Sequence, residues 1–98
     1  MSNLVTDESW VWAVIQNPEG EARLVGQHDK ENDITFVPIF LEKEEALKCY
    51  NLLSLAKGPK YEVQALLYEE LVRDAFQNRL IIFIMNGSGE ILDKVYPQ

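Results

Sequence analysis

The apolar positions of this chain fall into short segments that alternate between strand-like and helix-like patterns. Aromatic and β-branched residues dominate residues 10–15, and the turn-forming sequence Asn17-Pro18-Glu19-Gly20 follows them. Residues 22–26 are a plausible return strand, so the first third of the chain predicts a β-hairpin. Residues 34–41 predict a third strand, in which Pro38 cannot donate a ladder hydrogen bond and marks an edge, a bulge or the strand end.

Two further segments have the spacing of amphipathic helices. Residues 42–57 contain no Gly or Pro, carry apolar residues on one face, and are followed by the stop signal Gly58-Pro59. A partly alternating strand candidate at 61–67 separates this helix from a second one at 68–78. Both helices begin with acidic residues, which complement the partial positive charge of a helix N-terminus.

The last quarter of the chain predicts a second hairpin. Residues 80–85 are the most apolar segment, as expected of a central strand buried on both faces. Asn86-Gly87-Ser88-Gly89 is the strongest turn signal, and a strand at 90–96 follows it. The predicted order is therefore β-β-β-α-β-α-β-β. We expect an α+β domain at 9–98, with an antiparallel or mixed sheet of about six strands and both helices packed on one face. Residues 1–8 predict a flexible N-terminus.

Charge and composition narrow the classes of function. The chain has 98 residues and a formal net charge of -7, and its basic residues are scattered singly among acids. This distribution disfavours nucleic acids and anionic membrane surfaces as partners, because both require a basic surface. No apolar segment approaches the length of a membrane span, and the first residues lack the pattern of a signal peptide. A single cysteine fits a reducing compartment, so we expect a cytoplasmic protein.

The polar segment 28–33 contains the weak candidates for ligand binding. His28, Asp29 and Asp33 are close in sequence, and a histidine with carboxylates can hold a cation or act as a base. The spacing does not match a calcium loop, because the positions that require Gly and Glu carry apolar residues. A solvent-exposed loop is therefore the favoured interpretation, and we predict no metal site and no cofactor.

Other reactive side chains also have ordinary structural interpretations. Cys49 lies near the apolar face of the first predicted helix, where free cysteine usually behaves as a small hydrophobic residue. Glu70 and Asp74 are one helical turn apart on a face predicted to be solvated. The chain contains no Ser-His-Asp spacing, HExxH, CxxC or P-loop. We therefore predict no catalytic residues, although a small enzyme stays an alternative.

Trp10 and Trp12 are the main candidates for a binding surface, because residues two apart share one face of a strand. Large aromatic residues usually fill the core, but an exposed pair would anchor a partner or a second copy of the chain. The first hypothesis is thus a non-enzymatic protein-binding or regulatory module, in which a homodimer is possible. The alternative is a small-metabolite sensor or small enzyme with a cleft near the loop at 28–33.

One segment also resembles a known family. Phe36-Val37-Pro38-Ile39-Phe40, followed by Lys43-Glu44-Glu45-Ala46, has the form of a strand ending in V-P-x-F before a helix that opens with acids. This arrangement resembles the N-terminal domain of the SseB family, named for enhanced serine sensitivity. The resemblance implies a small α+β binding or regulatory module, and it implies no catalytic residues.

Overall fold

The computed structural model describes residues 2–96, which form a mixed β-sheet with one helix on each face. The predicted α+β class and the mixed sheet are confirmed. Seven strands and two helices follow one another as β1 (Trp10–Gln16), β2 (Arg23–Leu24), β3 (Gln27–Asp29), β4 (Ile34–Phe40), α1 (Lys43–Tyr50), β5 (Tyr61–Leu67), α2 (Tyr68–Gln77), β6 (Ile81–Met85) and β7 (Ile91–Val95).

The main sheet has the order β5-β1-β4-β6-β7, so that β5 and β7 are its two edges. β1 pairs with β5 along its whole length, whereas its other side meets β4 only at Trp12 and Ala13. Beyond that point β1 and β4 diverge and leave a gap, which we call the fork. β2 pairs with β1 on one side of the fork, and β3 pairs with β4 on the other. β4 and β6 run parallel, and β6 and β7 form the predicted second hairpin.

The prediction that both helices pack on one face of the sheet is wrong. Leu71 and Ala75 of α2 share a core with Ile82, whereas Cys49 of α1 shares a core with Phe83. Ile82 and Phe83 are neighbours in β6, and neighbouring strand residues point to opposite faces. The central strands are apolar on both faces, so a helix layer on a single face would leave Phe83 in water.

The return strand predicted at 22–26 is confirmed in shorter form as β2, which pairs antiparallel with β1. The additional short strand β3 raises the strand count from about six to seven. The chain passes from the β1 side to the β4 side at residues 25–26, between β2 and β3. His28 and Asp29 belong to β3, so the predicted loop at 28–33 is reduced to the turn at 30–33.

The first helix ends at Tyr50, earlier than the predicted Lys57. The Gln27 side chain explains why the following residues leave the helix. Its amide nitrogen donates to the Ser54 carbonyl oxygen at 2.9 Å, and its carbonyl oxygen accepts from the Ser54 N–H at 2.8 Å. These bonds satisfy the Ser54 backbone without a helical partner and tie residues 51–60 to β3.

The segment before β1 crosses the α2 face of the sheet. Val5 is buried in the core of that face. The carbonyl oxygens of Ser9 and Asp7 accept the N–H groups of Tyr68 and Glu69 at 2.8 and 3.2 Å. They thereby satisfy donors that a helix start leaves unpaired. The flexibility of residues 1–8 stays a prediction, but these contacts give the segment a structural role at the start of α2.

Neither helix of residues 2–96 combines the length and the apolar composition that a membrane-spanning helix requires.

Candidate functional site

The two tryptophans of β1 lie on the α1 face of the sheet, at its β5 edge. Trp10 is 64% exposed, whereas Trp12 is half-buried and packs against the core on this face. On β5, Leu67 lies directly opposite Trp10 and Ala65 directly opposite Trp12. Directly opposed residues of an antiparallel pair share one face, so the four side chains form a continuous apolar strip. The two predicted residues therefore differ in exposure. The Trp12 ring packs against the core, whereas the Trp10 ring is mostly exposed to solvent.

Helix α1 borders this strip. The Lys43 ammonium nitrogen lies 5.6 Å from the centroid of the Trp12 ring, within the range of a cation–π interaction. Leu47 is one helical turn further along the same side of α1 and is 49% exposed. We call the surface formed by these apolar residues the tryptophan face. It consists of Trp10, Trp12, Leu47, Ala65 and Leu67.

Acidic residues adjoin the tryptophan face along the chain. Glu8 precedes Trp10 by two residues, and Glu42 and Glu44 flank Lys43; all three carboxylates are exposed. The chain as a whole carries a formal charge of -7. The apolar surface therefore has exposed carboxylates close to it in the sequence, and the negative charge of the chain favours the approach of a basic partner.

The three weak ligand candidates lie together at the β3–β4 turn, where they support the backbone. Asp29 accepts the Glu31 N–H at 3.1 Å and the Asn32 side-chain amide at 2.9 Å. The hydrogen bond from the Asn32 side chain holds the pKa of Asp29 below its ordinary value. His28 Nε2 lies 3.4 Å from Asp33 Oδ1, and both side chains are largely exposed.

These contacts account for the turn without a ligand. Within residues 2–96 no three side chains among His, Cys, Asp and Glu are grouped closely enough to hold a metal ion. The thiol of Cys49 is buried in the core beneath α1, and burial raises its pKa. A thiol that stays protonated is a poor nucleophile, so Cys49 acts here as a core residue.

A groove of about 620 Å³ lies on the opposite face of the sheet, between α2, β7 and the segment before β1. Apolar side chains from these elements line it, among them Val5, Val72 and Phe76. Tyr68 borders the groove, and its pKa is raised mainly by burial and further by the charges of Asp7 and Asp93.

The sequence pattern did not indicate this groove. Its walls come from elements far apart in the chain, and Val5 stands in a segment that otherwise has the composition of a loose terminus. The available signal in this segment is the apolar pair Leu4-Val5 among polar residues. A smaller cavity of about 280 Å³ lies at the fork, where Arg23 and Tyr61 are among its lining residues. Residues 28–33 line neither cavity.

No protein-family model, curated protein or solved structure matches this chain. The resemblance to the N-terminal domain of the SseB family stays a prediction. The class of protein is therefore defined by fold and surface alone, as a small α+β domain with an exposed aromatic face.

Proposed function

We propose that this chain is a non-enzymatic cytoplasmic module that binds a protein partner through the tryptophan face. The exposure of Trp10 carries the proposal, since 64% of this side chain faces solvent beside Leu67 and Trp12. Single exposed apolar residues are ordinary, but contiguous apolar surfaces rimmed by polar groups are typical of interaction sites. Tryptophan is also among the residues that contribute most to binding when a partner covers them.

The partner that fits this surface is an apolar and basic polypeptide. An apolar side chain of the partner would cover Trp10, while its Lys or Arg residues would face the carboxylates of Glu8, Glu42 and Glu44. Charges at the rim of an interface mainly accelerate association and are screened by salt. Binding should therefore weaken as ionic strength rises, and a partner of acidic composition should bind poorly.

Peptide arrays provide a direct test. The probes are synthetic peptides that combine Lys or Arg with Leu or Phe, together with matched peptides in which Glu replaces the basic residues. The basic peptides should bind, and Trp10→Ser should weaken binding about 30-fold, the loss expected for a residue worth about 2 kcal/mol. Leu92→Ser is the control, because Leu92 is an exposed apolar residue at the other edge, 48% accessible.

The control should bind as tightly as the unchanged protein. Equal losses in Trp10→Ser and Leu92→Ser, or a preference for the acidic peptides, would contradict the proposed surface. Circular dichroism and thermal unfolding of both variants confirm that they remain folded.

The groove beside Tyr68 favours a second candidate function, the binding of a small molecule. Its volume of about 620 Å³ lies in the range of small-ligand sites, and its lining combines apolar residues with hydrogen-bonding ones such as Thr6, Tyr68 and Lys94. This cavity differs in place from the cleft expected near 28–33. A metabolite screen by thermal unfolding tests it, since a ligand that binds only the folded state raises the melting temperature. Val72→Trp should fill the groove and abolish any such shift.

A further inference from the structure

The outer side of β5 carries unpaired backbone groups in a regular row. Two hydrogen bonds extend the β1–β5 ladder at its ends, from the Tyr68 N–H to the Ser9 carbonyl oxygen and from the Asn17 N–H to the Lys60 carbonyl oxygen, both 2.8 Å. Hydrogen-bonded pairs alternate along an antiparallel ladder, so the even-numbered residues of β5 face β1. The N–H and C=O groups of Tyr61, Val63 and Ala65 point away from the sheet, and so does the N–H of Leu67. Leu67 is the N-cap residue of α2, so its C=O accepts the first hydrogen bond of that helix.

No backbone group of another described residue pairs with this outer row. The β1–β5 ladder runs through all seven residues of β5 without a register shift. Straight and regular edge strands of this kind are ready templates for a further strand, and proteins usually block them with charges, prolines or bulges. Within β5 itself none of these blocking features occurs on the outward-pointing positions.

The opposite edge, β7, does carry such features. A register shift between Ile84 and Met85 interrupts its pairing with β6. The ladder places the Lys94 N–H on the outer side, and the Asp93 carboxylate accepts this N–H at 2.9 Å. An incoming strand at β7 would therefore meet a bulged partner and an outward donor that is already satisfied. The two edges differ in their availability, although both belong to the same sheet.

We propose that β5 pairs with β5 of a second copy of this chain, antiparallel and centred on Gln64. In this register Val63 faces Ala65 of the second copy and Tyr61 faces its Leu67. The Val63–Ala65 pair can therefore exchange both of its main-chain hydrogen bonds, and the Leu67 N–H can donate to the Tyr61 carbonyl oxygen of the second copy. Their side chains lie on the α1 face, where every cross-strand pair would be apolar.

The side chains on the other face are also compatible with this pairing. Glu62 would lie opposite Leu66 of the second copy, so the two copies place no like charges directly opposite each other. Gln64 would face its own counterpart, and the two amides can bond to each other. The pairing is isologous, which is the symmetry of most homodimers, and it continues one sheet through both copies. The two tryptophan faces would then lie on the same side.

The net charge sets how the association depends on salt. Each copy carries -7, so the two copies repel one another at low ionic strength. Salt screens this repulsion, with a Debye length of about 8 Å at physiological ionic strength. Self-association should therefore strengthen with added salt. This trend is opposite to the one expected for a basic partner at the tryptophan face, so the failure of one proposal is distinguishable from the failure of the other.

Analytical ultracentrifugation of the purified chain over a range of protein and salt concentrations tests the pairing. The unchanged chain should shift from the monomer mass toward twice that mass as either concentration rises. Ala65→Pro removes an outward N–H at an edge position that tolerates proline, and should stay monomeric. Lys94→Pro is the matched control, because it removes an outward N–H at β7, and it should associate as the unchanged chain does.

Ala65→Lys provides a second variant that keeps the N–H, so the test does not depend on the folding of the proline variant. It places two charges near the symmetry axis of the pair and should also shift the chain to the monomer mass. A monomer mass for the unchanged chain under all conditions would overturn the proposal. Undiminished association of folded Ala65→Lys, or loss of association in Lys94→Pro alone, would overturn it as well.

Discussion

The two ends of the sheet in this molecule are built differently. At the β7 end, the ring of Phe83 stacks on Phe36 with centroids 4.1 Å apart, and the ammonium nitrogen of Lys94 lies 5.1 Å from the Phe83 ring centroid. Asp93 accepts the outward N–H of Lys94. The Phe83 ring and the Lys94 N–H are therefore both covered by neighbouring side chains of the same chain.

At the β5 end, the corresponding groups are left uncovered. Trp10 exposes most of its ring, Ala65 is exposed beside it, and the outward backbone groups of Tyr61, Val63 and Ala65 have no partner within residues 2–96. A chain that covers one edge and leaves the other available has the asymmetry expected of an interaction surface. The position of uncovered groups, more than the amount of apolar surface, marks where association is expected.

The largest predicted difference between the two ends is in how much a single substitution lowers the free energy of unfolding. Phe83 is 1% exposed and stacked, so Phe83→Ala should lower the free energy of unfolding by about 3–5 kcal/mol, through lost burial and the cavity left behind. Trp10→Ser should change it by less than about 1 kcal/mol, because the ring is mostly solvated. Urea unfolding of both variants measures the difference. A loss at Trp10 comparable to that at Phe83 would identify Trp10 as a core residue.

A smaller effect is expected at Gly87, in the β6–β7 turn that packs against α1. A Cβ atom there would lie 2.6 Å from Glu45 Oε2 and 2.9 Å from Lys48 Cβ. The Glu45 carboxylate can rotate away, but Lys48 Cβ is fixed to the helix backbone. Gly87→Ala should therefore cost about 1–3 kcal/mol of unfolding free energy by overpacking.

Gly20→Ala is the matched control for Gly87→Ala. A Cβ atom at Gly20 would meet nothing within 4 Å, and the backbone there does not need a positive φ. This change should leave stability unchanged or raise it slightly, by restricting the unfolded chain. Equal melting temperatures for Gly87→Ala and Gly20→Ala would show that the turn does not pack tightly against α1.

The smallest predicted effect concerns acid stability at the β7 edge. The pKa of Asp93 is lowered mainly by a hydrogen bond with the Ser2 side chain and next by the Lys94 N–H. Because the pKa of Asp93 is lower in the folded state than in the unfolded state, Asp93 of the unfolded chain takes up its proton at a higher pH. The stabilisation by ionised Asp93 is then complete above its ordinary pKa of 3.8 and is lost as the pH falls through the lower folded value.

Asp93→Asn keeps an oxygen acceptor for the Lys94 N–H but removes the charge. Melting temperatures of this variant should fall less steeply below pH 3.8 than those of the unchanged chain. Asp29→Asn should behave in the same way, because the hydrogen bond from Asn32 lowers the pKa of Asp29. Parallel acid profiles for all three proteins would show that neither carboxylate has a lowered pKa.

Local pattern was sufficient to predict most elements of this fold. The turn sequence at 86–89 indicates the β6–β7 hairpin. β5 ends and α2 begins where the apolar spacing changes from two to between three and four. Features that depend on residues far apart in the chain could not be predicted from the local sequence pattern. The parallel pairing of β4 and β6 joins residues separated by α1, β5 and α2, and the early end of α1 depends on the distant side chain of Gln27.

The candidate site was only partly accessible from the sequence. The period of two placed Trp10 and Trp12 on one face, but their different exposures depend on α1, whose Lys43 lies over Trp12. The availability of β5 as an edge could not be predicted, because strand order in the sheet is a tertiary property. The same limit explains why the helices were expected on one face although β6 was expected to be buried on both.

Amide hydrogen exchange in dilute and concentrated solution tests most directly the claim that the β5 end is where this domain associates. The outward N–H groups of Val63 and Ala65 should exchange rapidly in dilute solution and gain protection on concentration. The Lys94 N–H should exchange at the same rate in both. Protection gained at Lys94 instead, or unchanged exchange at both edges, would contradict the account.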